Sequence, residues 1–136
     1  SKNINITSFR GVFRGCNITS IDDNLFSNNI LATDFVNVFR ECKKLKSIPN
    51  NLFTNNVEAL QFNDCFRECI SLETLPNNLF ANNNKATNFT ETFYGCINLE
   101  GNAMNLWETN LSVVGNQCFY NCKKLKNYSS IPTDWK

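Results

Sequence analysis

The residues with most latent chemistry in this chain are its seven cysteines, and the chain has no histidine to serve them. Histidine is the commonest general base, the usual partner of a Cys or Ser nucleophile and the commonest metal ligand. Its absence argues against hydrolytic and transfer chemistry. Gly11, Gly15, Gly95, Gly101 and Gly115 are isolated and form no phosphate loop. Asp22, Asp23 and Asp34 lack the spacing of a calcium loop. The expectation is a non-enzyme with no cofactor and no metal.

The cysteines are instead periodic. Phe-x-x-Cys recurs at Phe13/Cys16, Phe39/Cys42, Phe66/Cys69, Phe93/Cys96 and Phe119/Cys122, in steps of 26, 27, 27 and 26 residues. Cys65 and Cys118 fall in a second column that holds Val12, Val38 and Thr92 in the other copies. A slot that accepts Val, Thr or Cys is small and buried, and a free thiol behaves there as a small hydrophobe. The pattern predicts a ladder of reduced, buried thiols that react only on denaturation, and an odd count leaves at least one unpaired in the monomer. Zinc would need four convergent ligands. The nearest approach, Cys65/Cys69 with Cys118/Cys122, spans two copies, about 10 Å at the spacing of stacked strands.

All twelve phenylalanines lie in three columns of the same repeat. Phe9, Phe35, Phe62 and Phe89 precede the Phe-x-x-Cys column by four residues, and Phe26, Phe53 and Phe80 follow Leu, with Trp107 in the fourth copy. Internal identity at this period marks a solenoid, in which each copy buries its apolar face against its neighbours and about three copies suffice. Ala32, Phe35, Val38, Phe39 and Cys42 recur at i, i+3, i+6, i+7 and i+10, which predicts a short helix after the Asn-Asn pairs at 28–29, 55–56 and 82–83. Leu45/Ile48/Pro49 and Leu72/Leu75/Pro76 predict a short parallel strand, limited by its prolines.

These elements turn equivalent residues into rows. The residue after the second Phe forms the row Arg14, Arg40, Arg67, Tyr94, Tyr120, the residue types most enriched at binding hot spots. Against this stands a plain reading in which the arginines pair with neighbours such as Glu41 and Glu68. A second candidate face is the strand side, with Ser47, Thr74, Gly101 and Asn127 outward and Lys46, Glu73, Glu100 and Lys126 beside them. The rows Asn24/Asn51/Asn78/Asn105 and Asn55/Asn82 read as structural ladders at the corners. Sequons at Asn5, Asn17, Asn88, Asn110 and Asn127 are expected by chance in an Asn-rich chain.

The motif Phe-x-x-Cys-x-x-Leu-x-x-Ile-Pro-x-Asn-Leu-Phe, an Asn-rich turn and Ala-x-x-Phe-x-x-x-Phe resembles the BspA-type leucine-rich repeats of bacterial surface proteins, over nearly the whole chain. The resemblance implies a right-handed α/β leucine-rich-repeat solenoid of about five 26–27-residue coils, each a short strand plus a short helix. It also implies non-catalytic binding to a host or cell-surface protein or glycan, in an extracellular or cell-surface setting. Residues 1–136 read as one solenoid domain, with 115–136 an atypical C-terminal capping repeat: Gly115 replaces a core Phe and Ile131-Pro132 follows three added residues. A start at Ser1 inside a copy reads as a fragment of a longer surface protein. A net charge of +1 gives no reason to expect nucleic acid, and no apolar run of about 18 residues predicts membrane insertion. The alternatives are a phage or prophage tail-associated receptor-binding module and a structural spacer.

Overall fold

A computed structural model describes residues 5–109 and 112–136; the sequon at Asn110 and the chain's start at Ser1 lie outside them. Parallel bridges join Ser8 to Asp34, Asp34 to Gln61, Gln61 to Asn88 and Asn88 to Val114. The copies therefore stack as successive coils, with the register passing through the segment for which a helix was expected. There the N–H groups of Phe35, Asn37, Phe39 and Glu41 donate to the carbonyls of Gln61, Asn63, Cys65 and Arg67 in the next coil, at 2.7–3.2 Å. The residues between them donate backward within their own coil, Val38 to Phe35, Arg40 to Asn37 and Cys42 to Phe39.

This alternation is neither helix nor strand. It consists of consecutive four-residue turns, Phe35–Val38 and Phe39–Cys42, whose third residues Asn37 and Glu41 have φ of 59° and 62°, the mark of a type II turn. The same two columns are left-handed in the other coils, at Gly11, Asp64, Glu91 and Gln117 and at Gly15, Glu68, Gly95 and Asn121.

The expected α/β leucine-rich-repeat solenoid of strand-plus-helix coils is thus overturned. Among the described residues there is no α-helix and no strand, only 3-10 turns at Tyr128–Ser130 and Thr133–Trp135. An α-helix cannot hold two left-handed residues four apart. Consecutive turns of four residues space Phe35 and Phe39 as a helical stripe would, and so imitate its period. The expected strand shrinks to one hydrogen bond per junction, from Lys46, Glu73 and Glu100 to the carbonyls of Thr19, Lys46 and Glu73. Pro49 and Pro76, just beyond, have no N–H with which to extend it.

Packing between coils is set by rings. Phe39, Phe66, Phe93 and Phe119 stack at centroid distances of 5.4–5.6 Å, and Phe26, Phe53 and Phe80 at 5.9 Å. The columns also meet each other edge to face, as at Phe53–Phe62, 4.9 Å and 62°. Both geometries suit the ring quadrupole, at about 0.5–1.5 kcal/mol per pair beyond area burial.

The thiol column does more than fill space. Cys42, Cys69, Cys96 and Cys122 point their Sγ at the carbonyls of Phe13, Phe39, Phe66 and Phe93 one coil away, at 3.1–3.2 Å. Thr92, in the second column, has its hydroxyl at the Phe62 carbonyl one coil away and at the Phe89 carbonyl of its own turn. All seven cysteines are free, six of them buried and Cys16 half-buried.

Asn55 and Asn82 donate to the Ser27 and Thr54 carbonyls of the coil before, and the buried Asn56 and Asn83 each donate to two such carbonyls. Asn51 and Asn78 are exposed. At Gly115 the indole of Trp135 takes the place of the missing Phe, and a Cβ on Gly115 would run into its ring. The carbonyls of Asp134 and Trp135 accept from Gln117 and Phe119, as a following coil would. No helix among the described residues is long and apolar enough to cross a membrane.

Candidate recognition surface

The turn ladder puts the residue after each second Phe on the outside of its coil, so Arg14, Arg40, Arg67, Tyr94 and Tyr120 form one row. Each member touches the next through a shared partner or directly. Arg14 and Arg40 both bond Glu41, at 3.0 and 3.1 Å. Arg40 and Arg67 both reach Asp64, at 3.6 and 3.3 Å. Arg67 also pairs with Glu91 and with Glu68, and its guanidinium lies 4.4 Å from the centre of the Tyr94 ring. Tyr94 in turn stacks on Tyr120 with centroids 4.7 Å apart.

The two halves of this row differ in chemistry. Along the first three coils the arginines are engaged by acids, and the hydrogen bond from Arg14 holds the Glu41 carboxyl below its ordinary value. Partly exposed pairs of this kind are worth little stability each, about 0–1 kcal/mol, but they leave the guanidinium groups occupied. Along the last two coils the row is uncharged. Near them in sequence are Thr90, Gly95, Asn116, Gln117 and Asn121, together with Glu91, which is paired with Arg67, and Tyr120 is 42 % exposed. Neither tyrosine hydroxyl makes a hydrogen bond among the described residues.

Glu41 and Glu68 as arginine partners could be read directly from the chain. Asp64 and Glu91, in the left-handed column of Gly11, Asn37 and Gln117, were missed because they reach Arg40 and Arg67 from the following coil, whereas Glu41 and Glu68 adjoin those arginines in sequence. The alternation of Gly with Asn, Asp, Glu and Gln in that column was the available signal.

Ser47 and Thr74 are exposed on the other side. The nearby depression, about 260 Å³, is lined by Lys46, Ser71, Glu73, Asn98, Glu100 and Lys124. It is shallow and mixed in charge, and Lys124 is tied across it to the Asn98 side chain at 2.7 Å. Among the described residues no group of three or more Cys, Asp or Glu side chains could hold a metal ion. Burial raises the thiol pKa of Cys42 to about 11 and of Cys122 to about 12, and raises those of Cys65, Cys69, Cys96 and Cys118 as well. A thiol held protonated is a poor nucleophile. Compared with protein-family models and with curated proteins, the chain matches none.

Proposed function

We propose that this chain is a non-catalytic recognition module that binds a protein or glycan on another cell through the Tyr94–Tyr120 half of the row. The observation that carries this reading is the stacked, outward tyrosine pair, with Arg67 and its partner Glu91 against one end. Tyr beside Asn, Gly and Thr offers rigid amphipathic area and adaptable hydrogen bonding at low entropic cost, the composition that adaptable binding surfaces use. The buried, protonated thiols and the absence of histidine support a role without catalysis. The extracellular or cell-surface setting belongs to the same proposal and rests on the repeat's resemblance to bacterial surface proteins.

The test is saturable binding of the fluorescently labelled domain to host epithelial cells and to bacterial cells, beside a Tyr94→Ser/Tyr120→Ser variant. A hot-spot pair carries about 2 kcal/mol or more per residue, so the variant should lose binding by well over tenfold while remaining folded, with a stability loss of about 0.5–1.5 kcal/mol from the lost stack. Binding to bacteria alone would reassign the module to a phage-type receptor binder. Binding to neither would leave a spacer, and undiminished binding by the variant would remove the tyrosine face from the reading.

A further inference from the structure

Six of the nine lysines come from two short segments at the same place in their coils, Lys43, Lys44 and Lys46 after Cys42 and Lys123, Lys124 and Lys126 after Cys122. The two coils between them carry Ile70, Ser71 and Glu73, then Ile97, Asn98 and Glu100, at those positions. Leu45, Leu72, Leu99 and Leu125 turn into the core, while the residues beside them are exposed, apart from the half-buried Ser71 and Asn98. The backbone holds these segments side by side: the N–H groups of Glu73 and Glu100 donate to the Lys46 and Glu73 carbonyls, and that of Lys126 to the Gly101 carbonyl. Coil by coil the surface therefore reads Lys, Glu, Glu, Lys. The depression of about 260 Å³ lies within it, with Lys46 and Lys124 from the outer coils and Glu73, Glu100, Ser71 and Asn98 from the inner ones.

These charges are unmet by the chain itself. Along the arginine row Arg14, Arg40 and Arg67 are each paired with acids. Among the described residues Lys46, Glu73, Glu100 and Lys126 make no ion pair, although they are neighbours along the ladder. Lys124 bonds only the Asn98 side chain, at 2.7 Å. Glu73 and Glu100 are like charges on adjacent coils, an arrangement that destabilises until a cation comes between them. Beside them Ile70 and Ile97, 37 % and 43 % exposed, add an apolar strip that a partner could cover.

Charge order and spacing select the occupant. A second copy of this chain, docked face to face about a two-fold axis through the depression, would set Glu73 on Glu73 or on Glu100 and lysine on lysine. A uniform polyanion would satisfy the lysines and meet two carboxylates at the centre. Coils joined by backbone hydrogen bonds step by about 5 Å, so Lys46 and Lys126 stand about 15 Å apart with the glutamate pair midway. An extended peptide places alternate side chains about 6.6–6.8 Å apart on one face, so an acid, a base and an acid at its first, third and fifth positions span the same distance in the complementary order. Arginine suits the central place, because its planar fork can engage two carboxylates.

We propose that the depression between Lys46 and Lys124 is a docking surface for an extended segment of a partner protein with the pattern acid-x-Arg-x-acid. The arginine seats between Glu73 and Glu100, one acid meets Lys46, and the other meets Lys124 and Lys126. This inference stands independently of the tyrosine face.

The probe is a capped Asp-Thr-Arg-Thr-Asp peptide, titrated into the native chain and followed through the amide resonances of Lys46, Glu73, Glu100 and Lys126. It should bind saturably and weaken as salt is raised toward 1 M, where the Debye length is about 3 Å. The inverted peptide, Arg-Thr-Asp-Thr-Arg, sets like charge on like at every position and should bind about tenfold or more weakly. A Lys46→Glu/Glu73→Lys/Glu100→Lys/Lys126→Glu chain should reverse that preference. The milder Glu73→Gln/Glu100→Gln chain, which keeps the shape of both side chains, should lose affinity for the first peptide. A Tyr94→Ser/Tyr120→Ser chain should bind it as the native chain does, which separates the two faces. Reversal by the charge-swapped chain supports the proposal. No saturation up to about 1 mM peptide, or equal affinity for the two peptides, overturns it. A sulfated glycan bound more tightly than the peptide, and more tightly still by the Gln chain, overturns it in favour of a polyanion.

Discussion

Gly15→Ala separates the turn ladder from a helix by the sign of its effect. Gly15 has φ of 70°, and a Cβ placed there meets nothing within 4 Å, so the substitution changes backbone preference and little else. A left-handed conformation costs a residue with a Cβ about 1–2 kcal/mol. Narrowing the unfolded ensemble returns about 0.4–1 kcal/mol. The net expectation is a loss of about 1 kcal/mol. Were the segment helical, Gly→Ala would instead stabilise by about 0.8–1.0 kcal/mol, so the two backbones differ by about 2 kcal/mol on one substitution. The mirror experiment is Gln117→Gly, at φ of 54° on an exposed residue. It should stabilise by roughly the same amount, for the same reason reversed. Both are read by urea unfolding, followed through the fluorescence of Trp107 and Trp135. A stabilised Gly15→Ala together with a destabilised Gln117→Gly would refute the turn ladder.

Phe66→Ala removes a ring stacked between Phe39 at 5.4 Å and Phe93 at 5.6 Å and should cost about 3–5 kcal/mol in unfolding free energy; a loss under about 1 kcal/mol would mean that this column is not core. Trp135→Ala should cost a similar 3–5 kcal/mol, because the indole is 5 % exposed and fills the place left by Gly115; hydrogen exchange should rise first at the Gln117 and Phe119 amides. Stability should also fall in alkali. Burial raises the Cys42 pKa from 9.0 to about 11 and that of Cys122 to about 12, so above pH 9 the unfolded chain releases protons that the folded chain retains. The contribution is complete below pH 9 and is lost as pH rises toward 11 and 12, at about 1.4 kcal/mol per pH unit for each buried thiol; a urea midpoint unchanged between pH 9 and 11 would contradict it.

The stacking period was legible because ring and thiol columns answer only to the neighbouring coil, and an in-register stack demands the same residue type at each level. The backbone between the columns was not legible by periodicity. Two turns of four residues place Phe35, Val38, Phe39 and Cys42 as a helix does, and the choice between them lies in the residues left outside that stripe. Gly11 exchanges there with Asn37 and Asp64, and Gly15 and Gly95 exchange with Glu41, Glu68 and Asn121. Gly replaced by Asn or Asp is the signature of a left-handed position; taken one at a time, the glycines look isolated. The thiols were placed correctly inside, but their bonds to the carbonyls of Phe13, Phe39, Phe66 and Phe93 follow from a backbone that periodicity did not reveal.

One alternation underlies both the stacking of the turn ladder and the outward row. Because every second N–H in the turn ladder closes its own turn, the remaining N–H groups all point to the following coil and the matching carbonyls all point to the preceding one. After the last such coil the donors of Gln117 and Phe119 are met by the carbonyls of Asp134 and Trp135. The same turns throw the residue after each second Phe outward at every level. A row of identical charges there would repel itself, and this row does not: Glu41, Asp64, Glu68 and Glu91 in the left-handed columns neutralise the arginines. Arg14, Arg40 and Arg67 each meet an acid of the following coil, Glu41, Asp64 and Glu91, whereas the coil that follows Tyr94 carries Gln117 and Asn121 in those columns. The loss of the acids and the loss of the arginines are one compensated change, and it leaves the aromatic pair as the part of the row whose polar groups are still free to meet a partner.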